Sequence, residues 1–165
     1  MMYAALLRAV NVGGHQPITM ADLRSTAEKL GLENVSTILQ SGNLIFDGET
    51  TEAALESKLH TDVFLRAASE WQAMVKNNPF PDEAKNDPAR LVVLFLKKSA
   101  DGATLQKAIK GREIARGKGK QIYVYYPDGQ GRSKLTNTLI EKTLGTRATA
   151  RNWNTVLKLR DATQR

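Results

Sequence analysis

The loop Asp128-Gly129-Gln130-Gly131-Arg132-Ser133-Lys134 combines two glycines, two cations and small polar side chains between a predicted strand and a predicted helix. Glycines let the backbone approach a ligand closely. Free amides and the positive end of a helix N-terminus attract anions. We therefore expect phosphate binding here, with Arg132 and Lys134 as the charged contacts. The alternative is an ordinary capped loop, since the phosphate-binding pattern GxxxxGK[ST] is absent.

A pair of tyrosines precedes this loop in the predicted strand Gln121–Tyr126. Side chains alternate along a strand, so Tyr123 and Tyr125 share one face of the sheet. Paired aromatic rings on an open sheet face can stack nucleic-acid bases while nearby cations hold the backbone. The alternative is that this face packs on a neighbouring subdomain, and the RNA-recognition signature itself is missing.

Three further motifs place polar side chains beside tight turns or a predicted helix start. The candidate ligand-binding residues in them are Arg8, Asn11, Gly13, Gly14, Ser41, Gly42, Asn43, Thr149, Arg151 and Asn152. One shared site explains motifs so far apart in sequence more simply than three independent turns do. We therefore predict that Asn11, Gly13 and Gly14 lie near the Ser41-Gly42-Asn43 turn, and that Arg151 and Asn152 approach both. The alternative is a glycine-containing turn, a hairpin turn and a helix cap with no ligand.

Catalytic, cofactor and metal chemistry has little support in this sequence. The chain has no cysteine, which excludes disulfides, thiolate zinc sites and iron–sulfur clusters, and its two histidines cannot build a metal site alone. No nucleophile stands beside a base. We predict no catalytic residue, no cofactor and no metal ligand, and we leave open whether the protein is an enzyme.

Charge is divided unevenly along the chain. Residues 1–90 carry 8 Lys and Arg against 12 Asp and Glu, a net charge of −4, whereas residues 91–165 carry 16 against 5, a net charge of +11. Concentrated positive charge favours polyanionic partners such as nucleic acid or phosphorylated molecules. A solvated basic surface without a ligand is the alternative.

The same order of elements is predicted in both halves. The first half contains the strand Tyr3–Val10, a helix capped by Thr19 and ended by Gly31, the strands Val35–Gln40 and Leu44–Phe46, the helix Thr51–His60, the strand Asp62–Arg66 and a helix from Ser69 to about Asn78. The second half contains the strand Leu91–Leu96, a helix capped by Asp101, a short strand within 112–120, the strand Gln121–Tyr126, the helix Leu135–Leu144 and a terminal helix over Thr149–Thr163, for which a final strand is the alternative.

This repetition predicts an α+β protein with two ferredoxin-like (βαββαβ) sandwiches in tandem and a C-terminal helix. The expected domains are residues 1–78, an exposed proline-rich connector over 79–90, and a basic domain over 91–165.

The motifs also carry a family resemblance. Arg8-x-x-Asn11-Val12-Gly13-Gly14, Gln40-Ser41-Gly42-Asn43 and Thr149-x-Arg151-Asn152-Trp153-x-Thr155 resemble a widespread bacterial family known only as a domain of unknown function, number sixteen ninety-seven. The resemblance spans the whole chain. It implies paired ferredoxin-like subdomains and no particular reaction.

We therefore expect a cytoplasmic protein that binds a polyanion, with single-stranded nucleic acid as the first choice. The second choice is an enzyme or small-molecule binder that acts on a phosphorylated metabolite at the composite site. No apolar run approaches the roughly 20 residues that cross a bilayer, so no membrane partner is expected. The oligomeric state is left open.

Overall fold

Two four-stranded antiparallel sheets organise the protein in the computed structural model, which describes residues 1–8, 19–38 and 42–164. The chain divides into two compact units. The first is Met1–Ala73 together with Lys158–Arg165, and the second is Met74–Leu157. The protein therefore has a mixed α+β architecture, as the sequence predicts.

The elements of the first half follow the predicted order. They are β1 (Met2–Leu7), α1 (Met20–Lys29), β2 (Glu33–Thr37), β3 (Asn43–Asp47), α2 (Glu52–Leu59), β4 (Val63–Ala67) and α3 (Ala68–Lys76). Thr19 caps α1 as predicted, because its hydroxyl accepts a hydrogen bond from the Asp22 amide. The predicted fourth strand is also confirmed, shifted by one residue.

The second half repeats this order. Its elements are α4 (Pro81–Asn86), β5 (Leu91–Asp101), α5 (Gly102–Ala108), β6 (Ile114–Arg116), β7 (Lys118–Tyr125), α6 (Asn137–Leu144), β8 (Ala148–Asn152) and α7 (Trp153–Thr163). Asp101 caps α5 as predicted, and Gly145, in the left-handed conformation, ends α6.

Strand order is the same in the two sheets. The first sheet runs β2-β3-β1-β4 and the second runs β6-β7-β5-β8, with all neighbours antiparallel. Helices α1 and α2 pack on one face of the first sheet, and α5 and α6 pack on one face of the second. The opposite face of each sheet is also buried. Ala4 and Phe64 of the first sheet and Phe95 of the second have no exposed surface.

The last segment combines the two forms that the sequence allowed. Residues Ala148–Asn152 form a strand paired with β5, and the helix begins only at Trp153. The predicted helix over Thr149–Thr163 is therefore too long at its start. Asn152 caps this helix, since its side-chain oxygen accepts a hydrogen bond from the Thr155 amide at 3.0 Å.

The segment predicted as a connector, residues 79–90, contains a short helix and one buried side chain, while half of its residues are exposed. Residues Pro81–Asn86 form α4, with a proline in its first turn, and Phe80 is only 1% exposed. Burial of the Phe80 ring holds this segment against its own sheet. The segment lies within the second unit, and the limits of independently folding domains stay a prediction.

Glutamates cover the amides of the edge strand β4. The Val63 amide donates to Glu56 at 2.9 Å, and the Leu65 amide donates to Glu52 at 2.8 Å. The Glu52 carboxylate also lies 3.5 Å from the guanidinium of Arg66, which is 2% exposed. These contacts occupy backbone amides of an edge strand, which could otherwise pair with a strand of another chain.

Replacing Glu52 with alanine tests this contribution. We expect Glu52→Ala to lower the free energy of unfolding by about 1.5–3 kcal/mol, because a charge-assisted hydrogen bond is lost beside a buried cation. Urea titration followed by tryptophan fluorescence measures the loss. Glu28→Ala is the matched control, an exposed helical glutamate expected to change stability by less than about 0.5 kcal/mol. Equal losses of unfolding free energy in the two variants would contradict a stabilising role for the Glu52 contacts.

Candidate functional site

The glycine-containing loop over 128–134 presents its two cations to solvent. Arg132 ends a short 3₁₀ turn, and both Arg132 and Lys134 are exposed. The helix that follows begins at Asn137, two residues later than predicted, and Thr136 caps it by accepting from the Leu139 amide. The loop therefore offers charged side chains, whereas the helix end already has a protein acceptor.

A second basic feature surrounds the hairpin that joins β6 to β7. An open depression there is lined by Asp101, Ala103, Gln106, Lys107, Ala115, Arg116, Gly117 and Lys118. We call this the hairpin depression. Three of its lining residues are cations and one is an acid. This depression was not predicted from the sequence, although the alternation Arg116-Gly117-Lys118-Gly119-Lys120 was the available signal.

Two glycines fix the depression's geometry. The Gly102 amide donates to the Gly117 carbonyl at 2.7 Å, and a Cβ at Gly102 would stand only 2.8 Å from that oxygen. Gly117 itself has φ +114°, a region that L side chains avoid. The start of α5 can approach the hairpin closely only because both positions lack side chains.

Arg116 is oriented by its neighbours. Its guanidinium lies 4.7 Å from the centre of the Phe80 ring, and Nη1 donates to the Pro79 carbonyl at 3.3 Å. Stacking on an aromatic ring holds the planar guanidinium in one orientation and leaves its other N–H groups free to donate.

The Tyr123–Tyr125 face is covered rather than open. The Tyr123 hydroxyl donates to the Met74 carbonyl at 2.6 Å, and the Tyr125 hydroxyl donates to Asp87 at 2.7 Å. Tyr123 is 6% exposed. Residues 74–90 therefore lie over the face on which bases were expected to stack, and the base-stacking role itself stays a prediction.

The first-half motifs are described only in part. Asn11, Gly13, Gly14 and Ser41 lie outside the described residues, so their predicted meeting with Arg151 stays a prediction. Arg8 pairs with Asp62 at 3.2 Å. The side-chain amide of Asn43, which has no exposed surface, donates to the Ile38 carbonyl at 3.0 Å. Gly42 has φ +76°. The Asn43 hydrogen bond and the positive φ of Gly42 are features of the hairpin turn that was the alternative.

The Thr149–Asn152 motif lies in a strand and at a helix start. Arg151 is 9% exposed, and its Nη1 donates to the Thr149 hydroxyl and the Ala150 carbonyl, both at 2.9 Å. Burial lowers the pKa of the Arg151 guanidinium to about 10. The three candidates of this motif thus have partners inside the fold, and their role in ligand binding stays a prediction.

Acidic side chains of the second unit are largely occupied within it. Asp87 accepts from Tyr125, Asp101 from the Ala103 amide, Glu113 from Ser133, Asp128 from Arg112 and Glu141 from the Ala148 amide. By contrast, several exposed cations form no side-chain hydrogen bond or ion pair with any other described residue. They are Lys98, Lys107, Lys110, Arg132, Lys134 and Lys142. Positive charge is thus left available on this unit.

Neither a cluster of metal-ligating side chains nor a membrane-spanning helix occurs in the described ranges. No group of three or more His, Asp or Glu side chains there could hold a metal ion. None of the helices in those ranges has both the length and the hydrophobicity that a membrane span needs.

Together these features define an α+β protein with two similarly ordered sheets and a basic second unit. The chain belongs to the family described as "Protein of unknown function (DUF1697)", whose model matches residues 1–123. This confirms the resemblance carried by the sequence motifs. No curated protein is similar enough in sequence to match.

A solved structure supports the fold. The conserved bacterial protein SP0830 from Streptococcus pneumoniae is similar to this chain with a TM-score of 0.74 and 24% sequence identity, over 98% of each chain. At this identity the similarity is evidence for the fold alone.

The buried Tyr123 phenol predicts that the free energy of unfolding depends on pH. Burial raises its pKa to about 12, whereas an unfolded tyrosine titrates near pH 10. Between about pH 10 and 12 the unfolded chain loses this proton while the folded protein keeps it, so stability falls as pH rises. We expect Tyr123→Phe to show a smaller fall in unfolding free energy from pH 9 to about pH 11, measured by urea titration. An identical fall in the variant would contradict a buried phenol.

Proposed function

We propose that the second unit binds a polyanion, and that this polyanion is a single-stranded nucleic acid held through its phosphates. The observation that carries the proposal is the set of exposed cations that have no partner among the described residues, on a unit whose carboxylates are mostly occupied. Excess charge of one sign raises the local concentration of oppositely charged ligands and speeds their association.

Phosphate contacts, rather than base contacts, fit the available surface. With Tyr123 and Tyr125 engaged by residues 74–90, the described part of this unit offers lysines and arginines instead of stacking rings. Lysine and arginine contacts to phosphates position a nucleic acid but carry little sequence information. The proposed binding is therefore strong at low salt and largely independent of base sequence. Such a partner is met in the cytoplasm, where we propose that the protein acts.

We also propose that both units are ferredoxin-like sandwiches. The support is the repeated order of strand, helix, two strands, helix and strand, together with strand orders that place the first and third strands of each sheet side by side at its centre. An experimental structure tests this classification. Strands β1 and β5 lying together in one mixed sheet, with helices on both of its faces, would contradict it.

Salt dependence tests the proposed binding. We expect a labelled mixed-sequence single strand to bind at low salt, with the logarithm of the association constant falling by about 0.7 per phosphate contact for each unit of log salt. The double variant Arg132→Ala, Lys134→Ala should reduce the magnitude of that slope by about 1.4, because two contacts are lost. Fluorescence anisotropy over a salt series measures both slopes.

The matched control removes the same charge from the first unit. Arg24→Ala with Lys29→Ala, on the exposed side of α1, should leave the slope unchanged. An equal reduction in the control would show a general effect of net charge and contradict a surface on the second unit. Absence of binding at low salt contradicts the nucleic-acid proposal. Saturable binding of a nucleotide or sugar phosphate instead would favour the small-ligand alternative.

A further inference from the structure

We propose that the hairpin depression is a phosphate-binding site, with Lys107, Arg116 and Lys118 as its cations. The inference deepens the proposed function, because it assigns one phosphate of the bound polyanion to a defined place. It involves different residues from those of the 128–134 loop.

Charge in the depression is concentrated and incompletely balanced. Lys107, Arg116 and Lys118 line it from α5 and from both sides of the hairpin. Asp101 is the acid that lines it, and one of its oxygens already accepts from the Ala103 amide at 2.9 Å while the other is 3.8 Å from Lys118. The lining therefore carries more positive than negative charge, which favours an anion such as phosphate.

The cations have different but compatible roles. Arg116 is held over Phe80 and offers planar donors that match phosphate oxygens. Lys107 has no partner among the described residues and can move its ammonium group toward a ligand. Lys118 lies between Gly117 and Gly119, both with positive φ, where the backbone has little side-chain bulk.

Rigidity is what distinguishes this depression from a scattered basic surface. The hydrogen bond from Gly102 to Gly117 fixes α5 against the hairpin, so Lys107 and Arg116 stand on elements joined at short range. A binding geometry that exists before the ligand arrives reduces the entropic cost of binding.

A titration with inorganic phosphate tests the site directly. On ¹⁵N-labelled protein, we expect the amide signals of Gly117 and Gly119 to shift with saturable dependence on phosphate. Lys107→Ala with Lys118→Ala should weaken phosphate binding about tenfold, because two charge-assisted contacts are lost. The midpoint of urea unfolding should stay unchanged or rise, a result that a merely structural role would not give.

The control variant removes equal charge from the same unit. Lys76→Ala with Lys85→Ala, both exposed, within the second unit and outside the depression, should change phosphate affinity by less than about twofold. Equal weakening in both variants, or amide shifts confined to other regions, would overturn the inference.

Two further ligands separate this inference from the proposed function. A single-stranded oligonucleotide that binds without shifting Gly117 and Gly119 would overturn the inference and leave the proposed function standing. Inorganic phosphate that shifts them while no oligonucleotide binds would support the site for small phosphorylated molecules and reject the proposed function. Shifts caused by polyglutamate but not by phosphate would assign the depression to an acidic protein and overturn the inference.

Discussion

Burial of both faces of the second sheet is the constraint on which the rest of this unit depends. One face packs on α5 and α6, and the other carries Tyr123 against the Met74 carbonyl. A sheet buried on both sides must supply apolar side chains at consecutive positions, and Leu91–Leu96 does so. Polar and charged groups therefore lie on helix surfaces, in loops and in the hairpin. The location of positive charge follows from the packing of the sheet.

Local sequence signals predicted most elements of this fold. Thr19, Asp101 and Gly145 act at helix ends through their own side chains or backbone conformations, so a few residues suffice to identify them. The repeated strand order was also accessible, because apolar strands and amphipathic helices recur in the same sequence in both halves. These features depend on neighbours within a few residues.

Features that depend on distant contacts could not be predicted in the same way. Alternation placed Tyr123 and Tyr125 on one face correctly, but only the contacts from Met74 and Asp87 show that the face is covered. The segment around Phe80 looked like a linker because its prolines and acids dominate its composition. The hairpin depression was missed because Lys107 is far in sequence from Lys118, and the close approach of Gly102 to Gly117 brings their elements together.

We propose that the polyanion-binding surface lies on the second unit, and hydrogen–deuterium exchange tests this most directly. Exchange is compared with and without a saturating single-stranded oligonucleotide at low salt. We expect slower exchange in peptides from the β6–β7 hairpin and the 128–134 loop, with the first unit unchanged. Slower exchange confined to the first unit, or no change in the second with the oligonucleotide bound, would contradict it.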